Sequence, residues 1–140
     1  MHVTYDALKQ FTAEAFVHAG LSAEDAATGA EVLAMTDAWG IYTHGTKLLR
    51  GYLRRLKAGG LRAKERPVLA GEGLAWALVD GNSSLGMVTS VFAMQAAIRK
   101  ARQCGIAYAS VRNSCHFGAA GLLRLAVGAG RARRLKHGQR

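Results

Sequence analysis

Leu74-Ala75-Trp76-Ala77-Leu78-Val79-Asp80-Gly81 is the stretch that decides the predicted fold. Its apolar residues stop at the turn signal Asp-Gly, and so short a run favours a strand over a helix. Residues 87–103 are rich in Ala, Val, Phe and Ile and are long enough for a packed helix. A second apolar run follows at residues 106–111. Residues 74–111 therefore predict a strand–helix–strand unit, which places the chain in the α/β class.

Three helices are predicted upstream of this unit, within the first sixty residues. The first has Thr4 or Asp6 as its N-cap and ends at Gly20. The second begins at the capping-box-like Ser22-Ala23-Glu24-Asp25, and the third begins near Thr46. The residues expected to face the core are Leu8, Phe11, Ala15 and Phe16 in the first helix, Ala26, Ala30 and Leu33 in the second, and Leu48, Leu49, Tyr52, Leu53 and Leu56 in the third.

The composition is that of one ordinary globular domain, but the charge is unusually basic. The chain has 140 residues, 50% of them hydrophobic, and a formal net charge of +10. Five of the nineteen basic residues lie in the last ten positions, after all nine acidic residues. A second basic cluster, Arg50, Arg54, Arg55 and Lys57, alternates with leucines at helical spacing and is typical of a solvated helix face. We therefore do not expect nucleic acid as a partner, although a basic nucleic-acid-binding module remains an alternative.

The remaining composition predicts a cytoplasmic protein. The two cysteines, Cys104 and Cys115, form no disulfide framework. We find no charged-then-apolar leader and no run of about eighteen apolar residues, so no membrane span is expected. Cys115 beside a histidine has no local context for a nucleophile, and Cys104, Cys115 and His116 lack the spacing of a zinc site. We expect no metal.

Two segments place a histidine on a turn flanked by glycine. They are Thr43-His44-Gly45 and Asn113-Ser114-Cys115-His116-Phe117-Gly118-Ala119-Ala120-Gly121. Histidine suits proton transfer because its ordinary pKa of about 6.5 lies near neutral pH. The residues alone leave two interpretations open for each segment. His44 is either a proton donor or a loop histidine, and His116 is either a ligand contact or a hydrogen-bonded residue of a buried turn.

Both segments resemble the malate/L-lactate dehydrogenase family, the NAD(P)-dependent 2-oxoacid reductases that do not use the Rossmann fold. In that family a Ser-His-Gly tripeptide follows an Ala/Thr-Asp-x-x-Gly element, and its histidine donates a proton to the substrate carbonyl. Residues 36–45, Thr-Asp-Ala-Trp-Gly-Ile-Tyr-Thr-His-Gly, fit this pattern. The resemblance implies that His44 is catalytic and that Thr43 stands in for the serine that orients it.

The resemblance also implies substrate and cofactor contacts. The family often has a carboxylate-binding arginine three residues after the glycine, where this chain has Leu48, and the adjacent Lys47 and Arg50 are expected to supply the charge. The second segment is similar to the family signature Asn-x-x-His-Phe-Gly-x-Ala-Gly, which contacts NAD or NADP. The implied cofactor-binding residues are His116, Phe117, Gly118, Ala119 and Ala120. We expect Gly118→Val to block the cofactor by its bulk and to change little else.

The resemblance covers about residues 1–128 and suggests three regions. Residues 1–60 form an N-terminal helical region, residues 68–128 begin a mixed-sheet cofactor and catalytic domain, and residues 129–140 form a basic tail. Family chains are more than twice as long and form homodimers, so we expect a truncated sheet with an uncovered edge and apolar face. The implied function is hydride transfer between NAD(P)H and a small 2-oxoacid or 2-hydroxyacid, such as malate or lactate. An inactive remnant of such an enzyme is the alternative.

We interpret the basic tail as the product of a one-base frameshift. Residues 135–140, Leu-Lys-His-Gly-Gln-Arg, can be encoded by codons that read Leu-Ser-Met-Ala-Asn one base later. That peptide resembles the Gly-hydrophobic-Ser/Ala-Met-x-Asn strand that the family has at this point. The genomic sequence read in the shifted frame tests this expectation.

Overall fold

The computed structural model describes residues 3–121 and confirms an α/β fold. Its four α-helices are α1 (Tyr5–His18), α2 (Ala23–Ala38), α3 (Leu49–Lys57) and α4 (Gly86–Cys104), and its three strands are β1 (Val68–Glu72), β2 (Trp76–Asp80) and β3 (Tyr108–Arg112). Two short 3₁₀ turns, Tyr42–His44 and Thr46–Leu48, connect α2 to α3. The basic tail lies outside the described residues.

The N-caps of the first two helices agree with the sequence. Thr4, not Asp6, caps α1, since its hydroxyl accepts the Ala7 N–H at 3.3 Å. The Ser22 hydroxyl accepts the Asp25 N–H at 3.1 Å and caps α2. Each bond satisfies a backbone donor that has no partner inside its helix, and this fixes where the helix begins.

The hydrophobic core joins α1, α2 and α3 to the start of α4. Phe16, Leu33 and Met87 are among its most buried side chains. One predicted core residue of α1 is wrong: Phe11 is 62% exposed, whereas Thr12 is fully buried. The face that packs against α2 passes through Thr12, and Phe11 lies to one side of that face. A threonine can be buried there because its hydroxyl donates to the Leu8 carbonyl at 2.7 Å.

The sheet contains the predicted strand–helix–strand unit and one strand that was not predicted. β2 and β3 pair in parallel and are connected through α4. β1 pairs with the other side of β2 in the antiparallel direction, with a bulge between Leu69 and Gly71. None of the β1 side chains is buried, and its apolar run Val68-Leu69-Ala70 is only three residues long. Backbone pairing with β2, and not side-chain burial, therefore holds this strand in place.

The carboxyl ends of β2 and β3 meet at one edge of the sheet, and this edge carries the second histidine segment. Gly81 N–H donates to the Arg112 carbonyl at 2.9 Å, and Ser83 N–H donates to the Asn113 carbonyl at 2.9 Å. The amino end of α4 also lies here, because α4 follows β2 after one short loop. In α/β sheets, ligands bind at such an edge.

Candidate active site

His44 lies on a tight double turn that one carboxylate holds in place. The Asp37 side chain, near the end of α2, accepts the Thr46 N–H at 2.9 Å and the Thr46 hydroxyl at 2.5 Å. Gly45 is buried against the same carboxylate, and a methyl group at this position would overlap it. Asp37 thus anchors the turn immediately after the histidine and leaves the residue at 45 no room for a side chain.

Thr43 is placed where it can orient the His44 ring. Its hydroxyl oxygen lies 2.9 Å from His44 Nδ1, and both residues are exposed. A hydroxyl can donate to a bare ring nitrogen or accept from a protonated one. The Thr43 hydroxyl can therefore bond to Nδ1 in either protonation state of the ring. The other ring nitrogen of His44, Nε2, has no hydrogen-bond partner among residues 3–121.

His116 lies beside His44 although the two are far apart in sequence. Their ring centroids are 5.4 Å apart, with an interplanar angle of 37°. His116 Nδ1 lies 2.7 Å from the Tyr52 hydroxyl of α3 and 3.3 Å from the Gly118 backbone nitrogen. The fold thus brings the first histidine segment, α3 and the carboxyl edge of the sheet together around two imidazoles.

Burial shifts the pKa values of two groups in this cluster. Burial and the nearby His44 both lower the pKa of His116 below its ordinary value of 6.5. Burial is also the main reason why the pKa of Tyr52 rises to about 12. At neutral pH, His116 is consequently neutral and the Tyr52 hydroxyl keeps its proton.

Asp80 and Asn113 fix the turn that leads into His116. Asn113 has a φ of +50°, and its side-chain amide donates to both Asp80 carboxylate oxygens at 3.0 Å. Asp80 also accepts the Asn82 N–H at 2.9 Å and forms an ion pair with Arg112 at 2.9 Å. The Asn82 N–H, the Asn113 amide and Arg112 together lower the pKa of Asp80. One buried carboxylate therefore ties the ends of β2 and β3 to the loops that follow them.

The predicted cofactor residues form one surface segment with a buried centre. Phe117 is 39% exposed and lies next to the His116 ring, with the centroids 6.3 Å apart. Ala119 is half-buried and Ala120 is exposed. Gly118, in contrast, is buried against Val32 of α2. The expectation that Gly118→Val would change little besides cofactor binding is therefore wrong, since the larger side chain would collide with α2.

The two predicted substrate-binding cations lie close to His44 in the chain. Lys47 belongs to the 3₁₀ turn Thr46–Leu48, and Arg50 lies in the first turn of α3. Both are exposed, and neither forms an ion pair within the described part of the chain. Leu48, at the position where the family often has arginine, packs against the core instead.

Cys115 has a structural hydrogen bond. Its Sγ accepts the Gly86 N–H at the start of α4 at 3.3 Å. Within residues 3–121, no three His, Cys, Asp or Glu side chains are grouped as metal ligands.

The helices of residues 3–121 contain no segment long and apolar enough to cross a bilayer.

Comparison with known proteins identifies the family. The sequence model of the malate/L-lactate dehydrogenase family matches residues 3–130. The chain belongs to this family. It is 37% identical to a malate dehydrogenase of Pyrococcus abyssi over 125 residues, which is 89% of this chain and 34% of that protein. It is 35% identical to an L-sulfolactate dehydrogenase of Methanocaldococcus jannaschii over 116 residues, 83% of this chain and 31% of the relative.

A solved structure agrees with this assignment. The malate dehydrogenase structure from Pyrococcus horikoshii superposes with a TM-score of 0.87 at 34% identity, over 90% of this chain and 36% of that one. The chain thus spans about a third of the length of the relatives that it matches. His44 and His116 both lie within residues 3–130, which the family model matches.

Three residues around this dehydrogenase-family cluster were not predicted as part of the site. Tyr52 was expected only in the core, Asp80 only in a turn, and Asp37 only as part of a family motif. The sequence gives only a weak indication that these three residues belong to the site. A buried tyrosine needs a partner for its hydroxyl, and a carboxylate at the end of a predicted strand often binds the following loop, but neither rule names the partner.

Proposed function

We propose that the protein acts in an NAD(P)-dependent dehydrogenase reaction that interconverts a small 2-hydroxyacid and its 2-oxoacid. The observation that carries this proposal is the pairing of His44 and His116 at 5.4 Å in a chain of the malate/L-lactate dehydrogenase family. Both histidines are exposed, and each ring has a hydroxyl at Nδ1: Thr43 for His44 and Tyr52 for the neutral His116. Such a pair can combine proton transfer with ligand binding.

His44 is the proposed acid and base of the reaction. In the reductive direction its Nε2–H would protonate the oxygen of the substrate carbonyl as that oxygen becomes an alkoxide, and in oxidation it would take the same proton back. Thr43 would hold the ring through Nδ1 during both steps. Lys47 and Arg50 would bind the substrate carboxylate, because two exposed cations, one on the 3₁₀ turn after His44 and one in the first turn of α3, attract an anion to this side of the cluster.

The segment from His116 to Ala120 is the proposed cofactor contact. NAD(P)H would supply the hydride for the carbonyl carbon. The partly exposed Phe117 ring and the Nε2 of His116, which has no hydrogen-bond partner among residues 3–121, fit a flat ring that carries an amide. By analogy with the family, we propose a homodimer, and the two free cysteines support a reducing compartment such as the cytoplasm.

Turnover by the 140-residue chain tests the proposal. NADH and NADPH oxidation would be followed with oxaloacetate and with pyruvate, and the reverse reaction with malate and lactate. His44→Ala should reduce turnover by about 10²–10⁴-fold and leave cofactor affinity nearly unchanged, because it removes a proton donor and no cofactor contact. His18→Ala, an exposed histidine at the end of α1, is the matched control.

Different outcomes separate the alternatives. Near-normal turnover by His44→Ala would remove this histidine from the mechanism. Failure of the wild-type chain both to bind NAD(P)H and to turn over these acids would favour an inactive remnant. Affinity for duplex DNA that falls steeply with salt, and that survives removal of residues 131–140, would support a nucleic-acid-binding module instead.

A further inference from the structure

The His116 ring has one nitrogen that must be a hydrogen-bond acceptor. The Gly118 backbone N–H points at Nδ1 from 3.3 Å, and a backbone amide can only donate. Nδ1 therefore carries no proton. The Tyr52 hydroxyl, 2.7 Å from the same nitrogen, must then donate as well. A neutral imidazole with an unprotonated Nδ1 carries its proton on Nε2.

We propose that Tyr52 is a positioning residue for His116, which it holds as the Nε2–H tautomer so that this N–H can donate to a carbonyl oxygen of a ligand. Tyr52 acts through His116 and needs no ligand contact of its own. The ligand part of this inference rests on the proposed function. The tautomer part depends only on the described contacts.

The surroundings of Tyr52 suit this role. The residue is only 4% exposed and packs against Phe16, with the ring centroids 6.4 Å apart. Its position is therefore set by the core that joins α1 to α3. Because the pKa of Tyr52 is raised to about 12, its hydroxyl remains a donor throughout the physiological pH range.

The neighbouring titratable groups also favour a neutral His116. His44 faces the ring from the 3₁₀ turn, and positive charge there opposes a second positive charge on His116. Cys115 and Arg55 act on the Tyr52 hydroxyl in opposite directions. Protonation of His116 at Nδ1 would break the hydrogen bond from the Gly118 N–H, and the Tyr52 hydroxyl would have to accept instead of donate. A neutral His116 therefore keeps a fixed N–H donor at Nε2.

The tautomer can be observed by NMR in the full 140-residue chain without any ligand. Histidine labelled with ¹⁵N gives long-range ¹H–¹⁵N correlations that distinguish a protonated ring nitrogen from a bare one. At about pH 8, above the ordinary histidine pKa, wild-type His116 should show a protonated Nε2 and a hydrogen-bonded bare Nδ1. His116→Gln assigns the signals.

Tyr52→Phe is the decisive variant, since it removes the hydroxyl and keeps the ring. The Nδ1 resonance of His116 should move toward that of a ring nitrogen that accepts one hydrogen bond fewer. The His116 pKa should rise by about 0.5–1 unit, because the lost hydrogen bond stabilised the neutral ring. Tyr42→Phe is the matched control, because Tyr42 is 65% exposed and should leave both quantities unchanged.

Two results would overturn the proposal. One is a wild-type His116 with its proton on Nδ1, and the other is a folded Tyr52→Phe variant in which the Nδ1 resonance and the pKa do not change. If Tyr52→Phe does not fold, two measurements on the wild-type chain test the proposal. The His116 tautomer is the first, and the second is a slowly exchanging Tyr52 hydroxyl proton with a nuclear Overhauser effect to the His116 ring. A rapidly exchanging hydroxyl without that contact would contradict the assignment.

Ligand titration separates this inference from the proposed function. NADH alone and oxaloacetate alone would be added to the labelled chain. A shift of the His116 Nε2–H with one of them supports the donor role and identifies which carbonyl is bound. If the tautomer is as expected and neither compound moves the signal, the ligand role of His116 is wrong, whereas the positioning by Tyr52 stands.

Discussion

Gly118 shows how tightly single residues of the second histidine segment are constrained. Its φ of +81° lies in the left-handed region, and a Cβ here would lie 2.8 Å from Val32 Cγ1. Its N–H also donates to His116 Nδ1. The residue thus combines a backbone conformation, a close contact with α2 and a hydrogen bond to a site histidine, and only glycine satisfies the first two.

Gly118→Ala should lower the free energy of unfolding by about 2–4 kcal/mol, from left-handed strain together with overpacking. Two other glycines separate these causes in urea-unfolding experiments. Gly59 has a φ of +76° with no atom near its Cβ position, so Gly59→Ala should cost only about 1–2 kcal/mol. Gly51 lies inside α3 with equally open space, and Gly51→Ala should stabilise the protein by about 0.5–1 kcal/mol. If Gly118→Ala and Gly59→Ala lower the free energy of unfolding equally, the contact with Val32 is unimportant.

At the scale of elements, the parallel pair β2 and β3 is joined at its carboxyl end by Asp80. This carboxylate binds Asn82 after β2, and Arg112 and Asn113 at the end of β3. The loops that shape the His116 segment therefore depend on an ionised side chain. Because these partners lower the pKa of Asp80 below 3.8, the ionised form stabilises the folded state.

The stabilisation by Asp80 should depend on pH with a definite sign. A depressed carboxylate pKa contributes fully above the unfolded value of about 3.9 and is lost as the pH falls through the lower, folded value. Asp80→Asn should accordingly lower the urea midpoint at pH 7, and the difference from wild type should shrink as the pH falls below about 4.

Glu65→Gln provides the control, since Glu65 is exposed and belongs to the loop before β1. It should leave the urea midpoint nearly unchanged over the same pH range. A difference between Asp80→Asn and wild type that stays constant down to pH 2 would rule out the ionised carboxylate as its cause.

At the scale of the whole molecule, one side of the sheet is open within residues 3–121. β3 pairs only with β2 in this range, and a groove of about 480 Å³ lies between α4 and β3. Ile106 and Tyr108 beside it are 76% and 65% exposed. Within residues 3–121, β3 therefore has an unpaired edge beside an exposed apolar surface. Such an edge can pair with another chain.

We expect the 140-residue chain to self-associate through the β3 edge as its concentration rises. Tyr108→Lys should reduce the mean mass measured by sedimentation or light scattering, because a charged side chain on an edge strand opposes strand pairing. Tyr42→Lys is matched in exposure, since both tyrosines are 65% exposed, but Tyr42 belongs to a 3₁₀ turn and not to an edge strand. Equal effects of the two variants would indicate a general effect of charge and would contradict association through β3.

The sequence by itself determined the local elements and the family. Apolar runs, capping residues and glycine stops follow from interactions within a few residues, so α1, α2, α4, β2 and β3 could be predicted close to their observed bounds. The motif around His44 and the one around His116 likewise led to the malate/L-lactate dehydrogenase family.

Only the tertiary structure decided what these elements bring together. The exposure of Phe11, the pairing of β1, the contact of Gly118 with Val32, and the bonds of Asp37, Tyr52 and Asp80 all depend on atoms from distant parts of the chain. Periodicity shows that a side chain is buried but not which group it meets. The two histidines are neighbours because α2, α3 and the carboxyl edge of the sheet pack around one core, and that packing is a property of the whole fold.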